Sequence, residues 1–273
     1  MLNNLYILQW WDFLALILIF IIGIPHGAFD VAVGTSIGIL NSYKTKLLFI
    51  FFYILLSIFV LIFWYFFPVF TFITFLICSV FHFGLGDTKY KKTFNYLADG
   101  FISGSVIIFG ISLFHQNEVD KIYVILVNGN TSLIWDVIYF CSFISIAMFF
   151  YLLLNSSKLF IKLFKRSIML LVLFFFLPPL VSFSIYFCFI HTFNHVKRVY
   201  PYLLEIFDRK VILNSFIFYT LITWTIGLVV FIAFFQSFTI TETLLRIIFI
   251  GLAALTFPHM FLVDFLFRPK KEI

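Results

Sequence analysis

Runs of apolar residues follow one another along almost the whole chain, separated by short polar connections. They fall at 12–40, 47–67, 69–86, 97–114, 132–154, 167–178, 180–196, 212–235 and 244–267. A helix rises about 1.5 Å per residue, so roughly 20 apolar residues cross a hydrocarbon layer of about 30 Å. The pattern predicts an all-α, polytopic membrane helical bundle with about eight or nine membrane segments. The uncertainty in count lies at Pro178-Pro179, where 167–196 reads either as one bent helix or as two short passes. No stretch reads as a soluble domain, linker or low-complexity tail, so 1–273 is taken as a single transmembrane domain.

Composition agrees with the pattern. Of 273 residues, 63% are hydrophobic and 11% charged, whereas a soluble domain carries roughly 25% charged and 45–50% apolar residues. Mean hydropathy is +1.14. The net charge of +6 would suit nucleic acid, but the placement of the cations excludes that partner. They mark the connections at Lys44 and Lys46, at Lys89, Lys91 and Lys92, at Lys158 to Arg166, at Lys197 to Lys210, and the tail at Arg268, Lys270 and Lys271. Between these lie neutral or slightly acidic connections: around Pro68, at 115–131, at Pro178-Pro179 and at Glu242. The alternation is unbroken if 167–196 makes two passes. Positively charged connections stay cytoplasmic, which puts the N-terminus outside and the C-terminus in the cytoplasm of a cell with this chain in its plasma membrane. The first run has no Lys or Arg before it and no small-residue cleavage site after it, so it reads as a span and not as a removable signal peptide. Cys78, Cys141 and Cys188 form no CxxC pair and read as small buried hydrophobes. The 44 phenylalanines permit an aromatic-lined cavity without establishing one.

Ionisable groups inside a span cost roughly 2.5–3.5 kcal/mol each on insertion scales for Asp, so each needs a reason. Five of the six histidines lie in apolar runs: His26, His82, His191, His195 and His259. With the orientation above, four fall in the cytoplasmic half and His26 near mid-depth, a grouping that a shared site explains. His191 and His195, four apart, share a helical face and converge on one point. His26 and Asp30 have the same offset, suited to a histidine that donates its second ring N–H to a carboxylate. Asp87 follows the His82 motif, and Asp264 follows His259 by five residues. Gly27, Gly84 and Gly86 permit close backbone approach beside these histidines. His259 alone reads as a hydrogen-bonded structural residue near the site, and His115 as an ordinary connection histidine. Four imidazoles suit iron, copper or zinc by ligand type. Six histidines are too few for a desaturase-like di-iron centre, and the lack of a well-buried span lysine excludes a retinal-binding pump. A bis-His haem electron-transfer protein and a proton-coupled transporter remain as alternatives; the first predicts sharp visible bands, the second histidine variants that lose flux without losing metal.

The motifs PHGAFD (25–30), FHFGLGD (81–87), YFCFIHTFNH (186–195) and IGLAALTFPHMFLVDFLFRP (250–269) together resemble the Brp/Blh (bacteriorhodopsin-related-protein-like) β-carotene 15,15'-dioxygenase family. QNEV (116–119) and LVNGNTSLIWD (126–136) resemble it as well, so the similarity spans about 12–269. The resemblance implies a membrane-embedded non-haem Fe2+ enzyme that uses O2 to split the central double bond of β-carotene into two all-trans-retinal molecules. It implies His26, His82, His191 and His195 as catalytic metal ligands, with Asp30, Asp87 and His259 as supporting residues around them. A substrate dissolved in the bilayer would enter between helices and meet the metal in an apolar tunnel. The product makes a retinal-binding rhodopsin an expected functional partner, although no residue encodes that association.

Overall fold

The computed structural model describes residues 6–86, 88 and 93–268. Asp87, a sequence-predicted site residue, lies outside them. Among the described residues there are ten helices and no strand. Helix α1 spans Trp10–Ser36, α2 Tyr43–Phe66, α3 Pro68–Gly86, α4 Phe94–Phe114 and α5 Gln116–Val127. Helix α6 spans Ser132–Asn155, α7 Ser157–Phe176, α8 residues 179–204, α9 Arg209–Phe234 and α10 Ile240–Phe267.

The starts and stops follow local chemistry. Ser42 and Thr93 accept the backbone N–H groups of Thr45 and Tyr96, and Thr239 forms a reciprocal cap with Glu242. Phe67, which precedes Pro68, leaves the helical region with ψ 59°, so α2 and α3 are distinct helices. Leu177 and Pro178 are extended, with ψ 144° and 152°. The 167–196 stretch is therefore two helices that separate at the prolines, not one bent helix.

Among the described residues, seven helices are long and apolar enough to cross a membrane by length and composition: α1 to α4, α6, α9 and α10. The other long helices, α7 and α8, include Lys158, Lys162, Lys165 and Arg166, and Lys197 and Arg198. The connection expected at 115–131 contains helix α5. Its polar Gln116, Asn117 and Glu118 face outward, while Val119, Ile122, Tyr123 and Leu126, at helical spacing, are buried.

Helices α1, α3, α4, α8 and α10 form the interior. Helices α2, α6 and α9 ring it with apolar surface: only 6% of the most apolar window of α9 is buried, against 72% for α4. Between helices with apolar surface on every side, as spans in a bilayer have, burial adds little to association and close packing carries more of it. The α3–α4 pair shows this. A methyl group on Gly84 would overlap the carbonyl of Gly100, and one on Gly104 that of Val80. The expected close approach at Gly84 is thus present. At Gly86 the neighbour is the His191 ring, 3.2 Å from where a Cβ would sit, and at Gly27 there is ordinary contact space.

Two apolar clusters bracket one end of the bundle. The larger includes Phe83, Phe187, Cys188 and Leu252. The smaller includes Phe29, Val199 and Leu262, each three or four residues beyond His26, His195 or His259. The five span histidines occupy the layer between the two clusters.

Candidate metal centre

Three of the helices that carry these histidines depart from regular α winding close to them. In α1, residues Ile19–Gly23 form a π turn and Ile24–Phe29 a 3₁₀ stretch. Pro25 has no N–H and its ring crowds the preceding turn, which accounts for the change of winding there. In α8, Tyr186–His191 is a π segment that ends on His191 itself. In α10, Phe261–Phe267 is a π segment that follows Pro258 and His259 and contains Asp264. Such π turns are uncommon and concentrate at functional sites.

The result is a single group of five imidazoles. His26 of α1 lies 5.5 Å from His191, 5.4 Å from His195 and 4.8 Å from His259, ring centre to ring centre. His82 of α3 lies 4.8 Å from His191 and 5.2 Å from His259, and His195 lies 5.1 Å from His259. All five are buried. His26, His82 and His259 each present a ring nitrogen within 4.8 Å of the other two. His115 is at the other end of the bundle, where its Nε2 donates to the carbonyl of Phe174 at 2.7 Å.

On three rings the outer nitrogen is taken. His26 Nδ1 donates to the Gly23 carbonyl. His82 Nδ1 donates to Asp264 Oδ2 at 2.7 Å, and His259 Nδ1 to Asp30 Oδ1 at 2.8 Å. Carbonyl and carboxylate oxygens only accept, so these contacts fix the proton on Nδ1 and leave the lone pair on Nε2. The Nε2 atoms of His26, His191, His195 and His259 are buried without a hydrogen-bond partner. One buried polar atom left unpaired costs about 1–3 kcal/mol. Four in one dry layer make sense as a donor set for a cation, and imidazole nitrogens backed by a carbonyl or carboxylate are the usual form of metal-binding histidines. The residues fit a metal ion.

The anchors are themselves held. Tyr53 of α2 donates to Asp30 Oδ2 at 2.9 Å. Arg268, almost fully buried, lies 3.7 Å from Asp264 and donates to the carbonyls of Leu85 and Thr88. Arg198 donates to the carbonyl of Gly86, next to the His191 ring. Phe83 stands against His191 at 4.7 Å and Phe187 against His26 at 5.3 Å.

Two sequence-based expectations change. Asp30 serves His259, not His26, whose outer nitrogen goes to Gly23. On a 3₁₀ stretch residues four apart diverge by roughly 120°, so the α-helical offset of His26 and Asp30 does not hold. His259, expected beside the site as a structural residue, is a full member of the group. Asp264 and Tyr53 were not assigned roles from sequence. For Asp264 the signal was its five-residue offset from His259, which brings two residues to one face on a π turn although not on an α-helix. Tyr53 stands out only as one of two hydroxyl side chains, with Ser57, in the apolar middle of α2.

Two apolar spaces are lined in part by neighbours of the group, Phe83 in one and Tyr53 and Pro258 in the other. A cavity of about 80 Å³ is bounded by Phe72, Phe75, Phe83, Phe183 and Phe249 among others. A wider groove of about 810 Å³ runs between α2 and α10, along Phe52, Tyr53, Leu56, Phe59, Pro258 and Leu262.

Comparison with known proteins agrees over nearly the whole length. Residues 17–267 match the family model described as beta-carotene 15,15'-dioxygenase. A protein of that name from the uncultured marine bacterium 66A03 is 35% identical over 269 residues, covering 96% of each chain. No solved structure matches.

Proposed function

The chain belongs to the β-carotene 15,15'-dioxygenase family, and from that premise we propose that it cleaves the central 15,15' double bond of β-carotene with O2. The C=C bond is replaced by two C=O bonds, giving two molecules of all-trans-retinal. The observation that carries the chemistry is the buried group of five imidazoles, of which the inner nitrogens of His26, His191, His195 and His259 lack partners. The residues that would hold iron(II) are His26, His82, His191 and His195, and their neighbourhood adds His259. Iron(II), when bound, supplies the electrons that O2 activation requires and an open position for it.

The protein's own contribution is binding, orientation and dryness. Gly23, Asp264 and Asp30 hold three rings in the tautomer that turns a lone pair inward. Phe83 and Phe187 pack against the rings and keep water from the layer. The substrate is a hydrocarbon with nothing for a polar residue to grip, so position along an apolar path must select the bond. The groove between α2 and α10 and the phenylalanine-walled cavity supply apolar space for such a path near the histidines. Cleavage needs no general acid or base from the chain. The apolar outer helices support residence in the cell membrane, and the charge alternation supports an outside N-terminus and a cytoplasmic C-terminus.

Expression in cells that accumulate β-carotene tests the reading, with His191→Ala as the paired control. Bleaching with retinal as the sole apocarotenal, abolished in the variant, is the expected result. Unchanged carotene with the protein present and carrying iron would sink it.

A further inference from the structure

Helix α2 offers lipid-facing apolar surface along most of its length. Between 47 and 63 the only side chains with a polar atom are Tyr53 and Ser57. Ser57 closes on its own helix, with Oγ donating to the Tyr53 carbonyl at 3.0 Å. Tyr53 instead reaches across to Asp30 Oδ2 at 2.9 Å, with the Leu255 carbonyl of α10 at 3.4 Å. A phenol in such a helix costs desolvation that phenylalanine would not incur, so its hydroxyl needs a use.

The contacts form a short chain: the Tyr53 hydroxyl donates to one oxygen of Asp30, and His259 Nδ1 donates to the other. Both carboxylate oxygens are thereby fixed from opposite sides. The Tyr53 ring also forms part of the wall of the groove between α2 and α10. The other wall comes from Pro258, Phe261, Leu262 and Leu266, the segment that carries His259 and Asp264. The groove is therefore lined by Tyr53, which bonds the Asp30 that holds His259, and by Pro258, the chain neighbour of His259.

We propose that Tyr53 is a positioning residue that joins the substrate's path to the metal-holding histidines. Its ring lines the groove through which the polyene reaches the centre, and its hydroxyl, through Asp30, sets the orientation of His259. The inference rests on the metal reading of the five histidines and goes beyond it by assigning a residue on α2, which carries none of them.

The test uses the purified full chain in detergent, stripped of metal and titrated with Co2+ alone, with the visible cobalt bands as readout. Tyr53→Phe keeps the ring and removes the bond. It is expected to weaken cobalt binding about tenfold, the lower end of the loss seen when an outer partner of a metal-bound imidazole is removed, and to shift the bands. In the iron-loaded enzyme kcat falls while KM for β-carotene stays within about twofold, because the interaction lost orients a ligand and leaves substrate binding alone. Leu56→Trp narrows the groove without touching the relay. It is expected to raise KM about tenfold, as steric changes in apolar pockets do, with the cobalt bands unchanged. Asp30→Asn replaces one acceptor by an N–H donor and carries the same expectation as Tyr53→Phe, so failure of either to fold leaves the other to decide. If the unsubstituted chain binds no cobalt, the metal reading falls and the relay with it. Cobalt bound by the unsubstituted chain and equally, with the same bands, by both relay variants would overturn the relay alone. An unchanged KM in Leu56→Trp would remove the groove from the substrate's path.

Discussion

Each histidine in the group is defined by what its outer nitrogen touches, and those contacts make separable predictions. The Asp264 side chain is only 5% exposed and accepts a hydrogen bond from His82 Nδ1 at 2.7 Å. Asp264→Ala should leave His82 in place but free to rotate, with metal binding weakened about 10–100-fold; metal analysis of the purified protein against free-metal concentration checks it. His259→Ala should cost at least as much, because it removes an imidazole of the group, whereas His115→Ala should leave bound metal unchanged. Equal metal content in His259→Ala and the unsubstituted protein would return His259 to the supporting role its sequence context suggested. The histidines themselves were readable because apolar runs make any ionisable residue conspicuous. Their partners were less so. Asp30 was visible as a buried carboxylate, yet its assignment to His26 assumed α-helical winding, and Gly23 offers its backbone carbonyl, which no side-chain motif advertises.

At the level of elements, sequence periodicity located nearly every helix, because a lipid-facing helix needs a long apolar run and a proline or polar cluster to end it. It was blind to winding. The π segments at Tyr186–His191 and Phe261–Phe267 have no composition that separates them from α-helix, and only Pro25 hinted at the irregular stretch in α1. Helix α5 was missed for a different reason: three polar residues at its start resembled a loop, although its buried face keeps helical spacing. Contact between helices is where small residues declare themselves. Gly84→Ala would force α3 away from the Gly100 carbonyl, moving the helix that carries His82. Overpacking of this kind costs about 1–3 kcal/mol or more, so a clearly lower Tm in detergent is expected, with metal binding weakened in the folded fraction. Gly27→Ala, whose added methyl meets only ordinary contacts, is the matched control and should shift Tm little. A comparable loss from both would mean that the α3–α4 crossing is not the constraint.

For the whole molecule, the side of the membrane on which the histidines lie follows from how many helices cross. If the seven most apolar helices and the pair α7 and α8 all cross, the nine crossings place the two ends of the chain on opposite sides. If α7 and α8 together made only one crossing, the count would be eight, and the basic residues between α6 and α7 would keep their side while those between α8 and α9 changed theirs. The helix break at Pro178 lets each of the pair run as a separate element, and with both crossing, every basic connection falls on one face. The histidine-bearing ends of α3, α8 and α10 then point to the cytoplasm, and α5 caps the outer face. Cysteine substitution separates the alternatives. Asn130→Cys, between α5 and α6, should react with a membrane-impermeant maleimide in intact cells. Ser156→Cys, between α6 and α7, and Glu205→Cys, between α8 and α9, should both react only after permeabilisation. Labelling of Glu205→Cys but not Ser156→Cys in intact cells would make α7 and α8 a single pass and require the basic residues at 197–210 to lie outside. Because α8 brings His191 and His195 to the group, that outcome would also reverse the side from which its charged end approaches the site.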